Sequence, residues 1–179
     1  GVPKGVMVNH SAVEIFLSWI SEEFGISKRD KFIATSSLGF GGSIRQIFST
    51  LLAGGEIYPI DRFDFKDPKS LLHFLEENRI TILNTVPSVL QNICDFVNLN
   101  DSLEATYQLP NLRLILVGGE ILQGQTIAKW KNNFGPIHKI FNLYGSTETI
   151  VNATFHEVGN EKIIPIGKAR KGSHVLLLN

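Results

Sequence analysis

Apolar residues at Val13, Phe16, Leu17, Ile20 and Phe24 recur at i, i+3, i+4, i+7 and i+11. That spacing predicts an amphipathic helix, opened by a capping box of Ser11 and Glu14. A short apolar run at 31–35 predicts a buried strand. Ile44, Ile47, Phe48 and Leu51 then mark a second helix that stops at Gly54-Gly55. The cycle repeats with a strand at 56–60 and a helix opened by Asp67-Pro68, with Leu71, Leu72 and Leu75 facing inward. It continues with a strand at 80–86 and a helix bearing Val89, Leu90, Ile93 and Val97. After a looser polar segment near 98–111 come a strand at 112–117, a helix around 124–133 and a strand at 138–143. Beyond residue 150 the pattern turns to β and turns, and Val175 to Asn179 read as a final strand.

Five β-runs interleaved with four helices predict an α/β fold: a doubly wound, mostly parallel sheet with a β-rich C-terminal segment. Ligands of such sheets bind outside the carboxyl ends of the strands. The Gly- and hydroxyl-rich segments fall at those ends: Phe40 to Ser43, Thr85 to Ser88, Gly118 to Glu120, and Tyr144 to Glu148. Turn chemistry explains any one of them; a shared site explains all four. The stretch NLYGSTET (142–149) carries an amide, an aromatic ring, Ser and Thr hydroxyls and a carboxylate. These are the groups that a nucleotide and its metal ion require.

Composition removes several function classes. The 17 Lys and Arg balance the 17 Asp and Glu, so no net field draws in nucleic acid or an anionic membrane. Cys94 is the only cysteine. An internal disulfide is therefore impossible, zinc spacing is absent, and its place on an apolar helix face marks a core thiol. No apolar run reaches the roughly 18 residues of a membrane span. A reducing, cytoplasmic setting is the expectation. His73, His138 and His156 show no partner in the sequence and receive no catalytic role.

Taken together, Gly1 to Val6 (GVPKGV), FGGSIRQIFSTLLAGG (40–55), GGEIL (118–122), NLYGSTET (142–149) and IPIGKA (164–169) resemble the adenylate-forming superfamily. That superfamily includes acyl-CoA ligases, luciferases and the adenylation domains of nonribosomal peptide synthetases; the second and third segments are most similar to the peptide-synthetase branch. The resemblance spans essentially the whole chain. It implies residues 1–10 as part of a phosphate loop, 11–150 as an acyl- and adenine-binding subdomain, and 151–179 as the start of a further β-rich subdomain.

By that resemblance Asn142 and Tyr144 hold adenine, and Gly118, Gly119 and Glu120 border it with backbone. Gly145, Ser146 and Thr147 belong to the nucleotide-binding signature, with Thr147 on the α-phosphate and Glu148 on Mg²⁺. Lys4 belongs to a loop over the outer phosphates of ATP. Read without the resemblance, Lys4 is a solvated loop lysine and Glu148 a surface carboxylate. By the same resemblance Phe40, Gly41, Gly42, Arg45, Thr85, Leu116, Gly118, Leu143, Val151 and Asn152 line an acyl pocket. Arg45 either meets an acidic or polar acyl tail or points to solvent.

The implied chemistry is attack of a substrate carboxylate on ATP to give acyl-AMP, then transfer to a carrier-protein thiol. Family members that take α-amino acids place an Asp where this chain has Gly41, to meet the ammonium. A buried ammonium without a counter-ion is costly, so the expected acid lacks a free α-amine. The family's other phosphate-loop half, its ribose-binding Asp and its small domain with a catalytic Lys have no match here. The chain is thus expected to be a recognition lobe, inactive alone and partnered by the rest of an adenylation domain. The alternatives are a non-catalytic interaction module and an acyl-CoA ligase fragment; an unrelated flavodoxin-like nucleotide domain fits poorly because no GxGxxG opens a helix.

Overall fold

The computed structural model describes residues 5–100 and 107–178. The elements in chain order are α1 (His10–Phe24), β1 (Lys31–Ala34), α2 (Gly42–Leu52), β2 (Glu56–Pro59), α3 (Arg62–Lys66), α4 (Pro68–Glu77) and β3 (Ile82–Thr85). They continue with α5 (Pro87–Leu99), β4 (Leu114–Gly118), α6 (Gly124–Phe134), β5 (Lys139–Tyr144), a 3₁₀ turn (Thr147–Thr149), β6 (Thr154–Glu157) and β7 (Lys168–Ala169).

The seven strands form one sheet in the order β2-β1-β3-β4-β5-β6-β7. β1 to β5 are mutually parallel, and β6 and β7 add antiparallel strands at one edge. Alternation along each buried strand sends neighbouring side chains to opposite faces. Phe32, Ile82, Leu114, Leu116, Phe141 and Leu143 pack with Phe16, Trp19, Ile20 and Phe24 of α1. Ile33, Leu83, Ile115, Val117 and Ile140 pack instead with Leu71, Leu72, Leu75, Leu90, Ile93, Ile127 and Trp130 from α4, α5 and α6. Helices therefore cover both faces, as the interleaved pattern predicted. Cys94 is wholly buried, and desolvation pushes its thiol up to about 12, so it is core and not nucleophile.

Asp67 caps α4 through the Ser70 amide, with Pro68 in the first turn, as its sequence implied. Four local expectations change. Asn9, not Ser11, caps α1: its side chain accepts from the Ala12 amide at 3.0 Å, and the Ser11 hydroxyl donates to the same oxygen. A short helix, α3, fills the link before Asp67. Residues 175–178 form no strand; Val175 to Leu178 are exposed and pair with no neighbouring edge. An apolar run becomes a strand only when a ladder receives its backbone groups.

The fourth change concerns α2. Its most buried residues are Ser43, Arg45, Gln46, Ser49 and Thr50, while Phe48, Leu51 and Leu52 are exposed. The polar face lies on the sheet because it meets backbone and amide groups there. The Gln46 side-chain oxygen accepts from the amides of Thr35 and Ser36, just past β1, at 3.2 and 3.0 Å.

Candidate functional site

At the carboxyl ends of the parallel strands the loops enclose a cleft of about 740 Å³. Segment 34–37 follows β1, Phe40 to Arg45 start α2, Asn84 to Val86 end β3, Gly118-Gly119 end β4, and 143–152 run out of β5. Loops that follow four different strands thus share one rim, as the switch-point rule for such sheets requires. Nine of the ten pocket candidates line the cleft: Phe40, Gly41, Gly42, Arg45, Thr85, Gly118, Leu143, Val151 and Asn152. Leu116 does not. It is fully buried against the α1 side of the core, and its strand partner Asn84 lines the cleft instead.

Of the nucleotide candidates, Gly118, Gly119, Gly145, Ser146 and Thr147 line the cleft. Tyr144 ends β5 with its ring half exposed, directly before Gly145. Asn142 is buried and its side-chain amide donates to the Pro165 carbonyl at 2.9 Å, which ties the IPIGKA stretch to β5. The Glu120 carboxylate accepts from the Ser88 amide and hydroxyl, both at 3.0 Å, at the start of α5. Lys4 lies outside the described residues.

Glu148 stands exposed on the 3₁₀ turn beside Thr147. The Ser146 hydroxyl, then its own backbone amide, hold its carboxyl below the usual range. It is therefore ionised at neutral pH. No group of three or more His, Cys, Asp or Glu suited to a metal exists among the described residues. A lone carboxylate still suits Mg²⁺ delivered with a nucleotide, because that ion keeps waters and takes most remaining ligands from phosphates.

Past this turn the backbone is strained. Ile150 and Val151 have φ of 53° and 68°, in the left-handed region that β-branched residues avoid. The Val151 amide bonds to the Ser146 carbonyl at 2.9 Å, and the Ala153 amide to the Tyr144 carbonyl at 2.8 Å. Those bonds fold segment 151–153 back over Gly145, where a Cβ would lie 2.4 Å from the Val151 carbonyl oxygen. Gly145 is required there, and the strain carries Val151 and Asn152 into the cleft.

The charged side chains lining the cleft are cationic. Arg45, Arg62 and Lys66 line it, and among the described residues no Asp or Glu does. The sequence left Arg45 open between pocket and solvent; the structure buries it, only 5% exposed, in the cleft wall. It donates through Nη1 to Asn152 Oδ1 at 2.5 Å and through Nη2 to Asn84 Oδ1. Asn84 went unnamed in the sequence although it signalled itself: a polar residue within the buried run Ile82-Leu83-Asn84-Thr85. Arg62, Phe65 and Lys66 went unnamed because α3 did not show in the periodicity.

Gly41 and Gly42 are constrained by packing. A Cβ on Gly41 would meet Val151 Cγ2 at 2.8 Å, and one on Gly42 would meet Ser36 Oγ at 2.8 Å. Position 41 therefore has no room for an acidic side chain unless Val151 shifts. His138 is structural: it accepts from Trp130 Nε1 at 3.2 Å, and its other ring nitrogen meets the Leu109 carbonyl. His73 and His156 lie beside Glu77 and Glu161, away from the cleft lining.

The family model of AMP-binding enzymes matches residues 1–179. Tyrocidine synthase 1 of Brevibacillus parabrevis is 26% identical over 183 residues, covering 100% of this chain and 15% of that protein. The D-alanine–D-alanyl carrier protein ligase of Bacillus cytotoxicus is 27% identical, covering 99% of this chain and 35% of the ligase. Among solved structures, the nonribosomal peptide synthetase FmoA3 superposes with a TM-score of 0.82 at 26% identity, over 93% of this chain and 18% of that one. The Vibrio cholerae adenylation domain AlmE, in complex with glycyl-adenosine-5'-phosphate, gives 0.76 at 25% identity, over 90% of this chain and 30% of that one. The chain spans 35% or less of each of these proteins. Because that family model matches along its whole length, the chain belongs to the AMP-binding enzyme family.

Proposed function

We propose that this chain supplies the acid- and adenine-recognition part of an ATP-dependent ligase. That ligase converts a carboxylic acid to acyl-AMP for transfer to a carrier-protein thiol. The observation that carries this reading is the single cleft joining pocket residues Gly41, Arg45 and Asn152 to signature residues Gly119, Ser146 and Thr147. In the reaction a carboxylate oxygen bonds to the α-phosphorus of ATP, and the bond to pyrophosphate breaks with its electron pair leaving on pyrophosphate. Both reactants are anions, so fixed positioning and charge neutralisation supply most of the rate.

Each residue has a task in this scheme. Gly118, Gly119, Glu120 and Tyr144 border and stack on adenine, with Asn142 holding the strand edge beside it. Ser146 and Thr147 face the phosphates, and ionised Glu148 would hold a Mg²⁺ ion, which would offset phosphate charge. Lys4 belongs to the loop over the outer phosphates. Gly41 offers no counter-ion for an ammonium, so the acid lacks a free α-amine. The carrier-protein acceptor is favoured by similarity to a carrier protein ligase. Adenylation draws on the rest of the domain, so the 179 residues alone recognise their ligands without turnover.

ATP–pyrophosphate exchange by the full-length protein, screened against amino, keto, hydroxy and aryl acids, tests this. Exchange should appear with an acid lacking an α-amine, and Glu148→Ala should lower it about 100-fold. Exchange driven best by an ordinary L-amino acid would sink the substrate assignment. No exchange with any acid would favour a non-catalytic module.

A further inference from the structure

Arg45 is the most costly residue in the cleft as it stands. Its side chain is buried in the wall, and its two observed partners, Asn84 and Asn152, are neutral amides. Its Nε has no hydrogen-bond partner among the described residues. No carboxylate lies within ion-pairing distance of it among the described residues. Desolvation lowers its pKa to about 10, which leaves it charged at neutral pH. A buried guanidinium lacking a counter-ion is strongly disfavoured unless something that binds there supplies the negative charge.

The surroundings fit that supply. Arg45 shares the lining with Arg62 and Lys66, and with no acidic side chain among the described residues. Asn84 and Asn152 accept from its two terminal nitrogens and so fix the plane of the fork, the geometry suited to an oxyanion. Gly41 and Gly42, one turn before Arg45 on the same helix, line the cleft without side chains of their own, and Val151 lines it beside Gly41.

We propose that Arg45 is a specificity-determining residue that seats a second carboxylate, so that the acid activated in this cleft is a dicarboxylic acid. This rests on the ligase reading above, in which the first carboxylate lies towards Ser146 and Thr147. Arg45 selects the substrate through its tail and takes no part in bond making.

The test uses the full-length protein and two matched pairs: glutarate against valerate, and 2-oxoglutarate against 2-oxovalerate. ATP–pyrophosphate exchange should favour the diacid of each pair by about 10- to 100-fold in kcat/KM, the worth of a charge-assisted hydrogen bond. Arg45→Met should bring that ratio near one, with the larger loss falling on the diacid. Asn152→Asp, nearly isosteric, should do the same by giving Arg45 an internal counter-ion, and it covers the case in which Arg45→Met fails to fold. Equal use of both members of each pair by the unaltered protein would overturn the proposal. So would an equal loss for both members in the variants, which would assign Arg45 to the reacting carboxylate. If no acid supports exchange, the ligase reading falls by itself and calorimetry decides the anion seat. Tighter binding of glutarate than valerate, lost in Asn152→Asp, would uphold it; equal binding would end it.

Discussion

Two arginines at opposite ends of the same parallel strands meet different fates. Arg113, just before β4, is half exposed and grips buried Asp30 through Nε and Nη2 at 2.8 and 2.9 Å, while also donating to the carbonyls of Phe24 and Gly25. Arg45, at the other end, is far more buried and has two amides and no acid. The amino-end network closes on itself and fastens α1 to the sheet. The carboxyl-end network stays open, which is the state expected of a group whose partner comes and goes. In one domain the scaffold neutralises its charge internally, and the site leaves it for a ligand.

The sharpest way to break the comparison is to remove the scaffold's acid. Asp30→Asn should destabilise the fold by about 2–3 kcal/mol at neutral pH, read from urea unfolding; the half-exposed partner keeps the loss below that of a fully buried pair. Burial raises the Asp30 carboxyl, but Arg113, Thr81 and Ser27 together outweigh it and leave the group lowered. A lowered carboxyl stabilises the fold above its unfolded value of about 3.9, and that contribution fades as pH falls through the folded value. The gap between parent and Asp30→Asn should thus be full at pH 7 and close below about pH 4. A gap that widened with acid would refute the pairing.

The converse change should help stability. Asn152→Asp hands Arg45 the counter-ion that Arg113 already has and should raise stability by about 1–2 kcal/mol, the ion pair offsetting desolvation of both groups. Unfolding at lower urea than the parent would mean that the buried guanidinium is already compensated. The smallest effect belongs to Val151→Gly. Relief of the left-handed backbone gains roughly 1–2 kcal/mol; the added unfolded-state freedom of glycine costs about 0.5–1 kcal/mol. A net gain near 0.5 kcal/mol should appear in the unfolding midpoint, together with a loss of discrimination between acids in exchange assays.

Two helices show how far the hydrophobic pattern reaches. Leu71, Leu72 and Leu75 of α4 are buried as their spacing implied, because a one-sided apolar stripe has one place to go, against the sheet. The stripe of α2 correctly marked a helix but not its orientation: Phe48 and Leu51 are exposed, and Arg45, Gln46, Ser49 and Thr50 face in. Periodicity ranks faces by transfer from water and is blind to hydrogen bonds made with distant strands. Gln46 bonds to the chain beyond β1, and Arg45 bonds to Asn84 and Asn152, which are 39 and 107 residues away.

The linear chain therefore determined what local chemistry can determine. The alternation of strands and helices, the parallel sheet, the core identity of Cys94 and the positions of the Gly- and hydroxyl-rich loops all follow from side-chain spacing and turn residues. Tertiary structure alone decided which of those residues share a cleft, that Asn84 and not Leu116 faces it, and that Arg45 is buried without an acid. Burial and charge pairing are properties of segments brought together by folding, and no short stretch of sequence contains them.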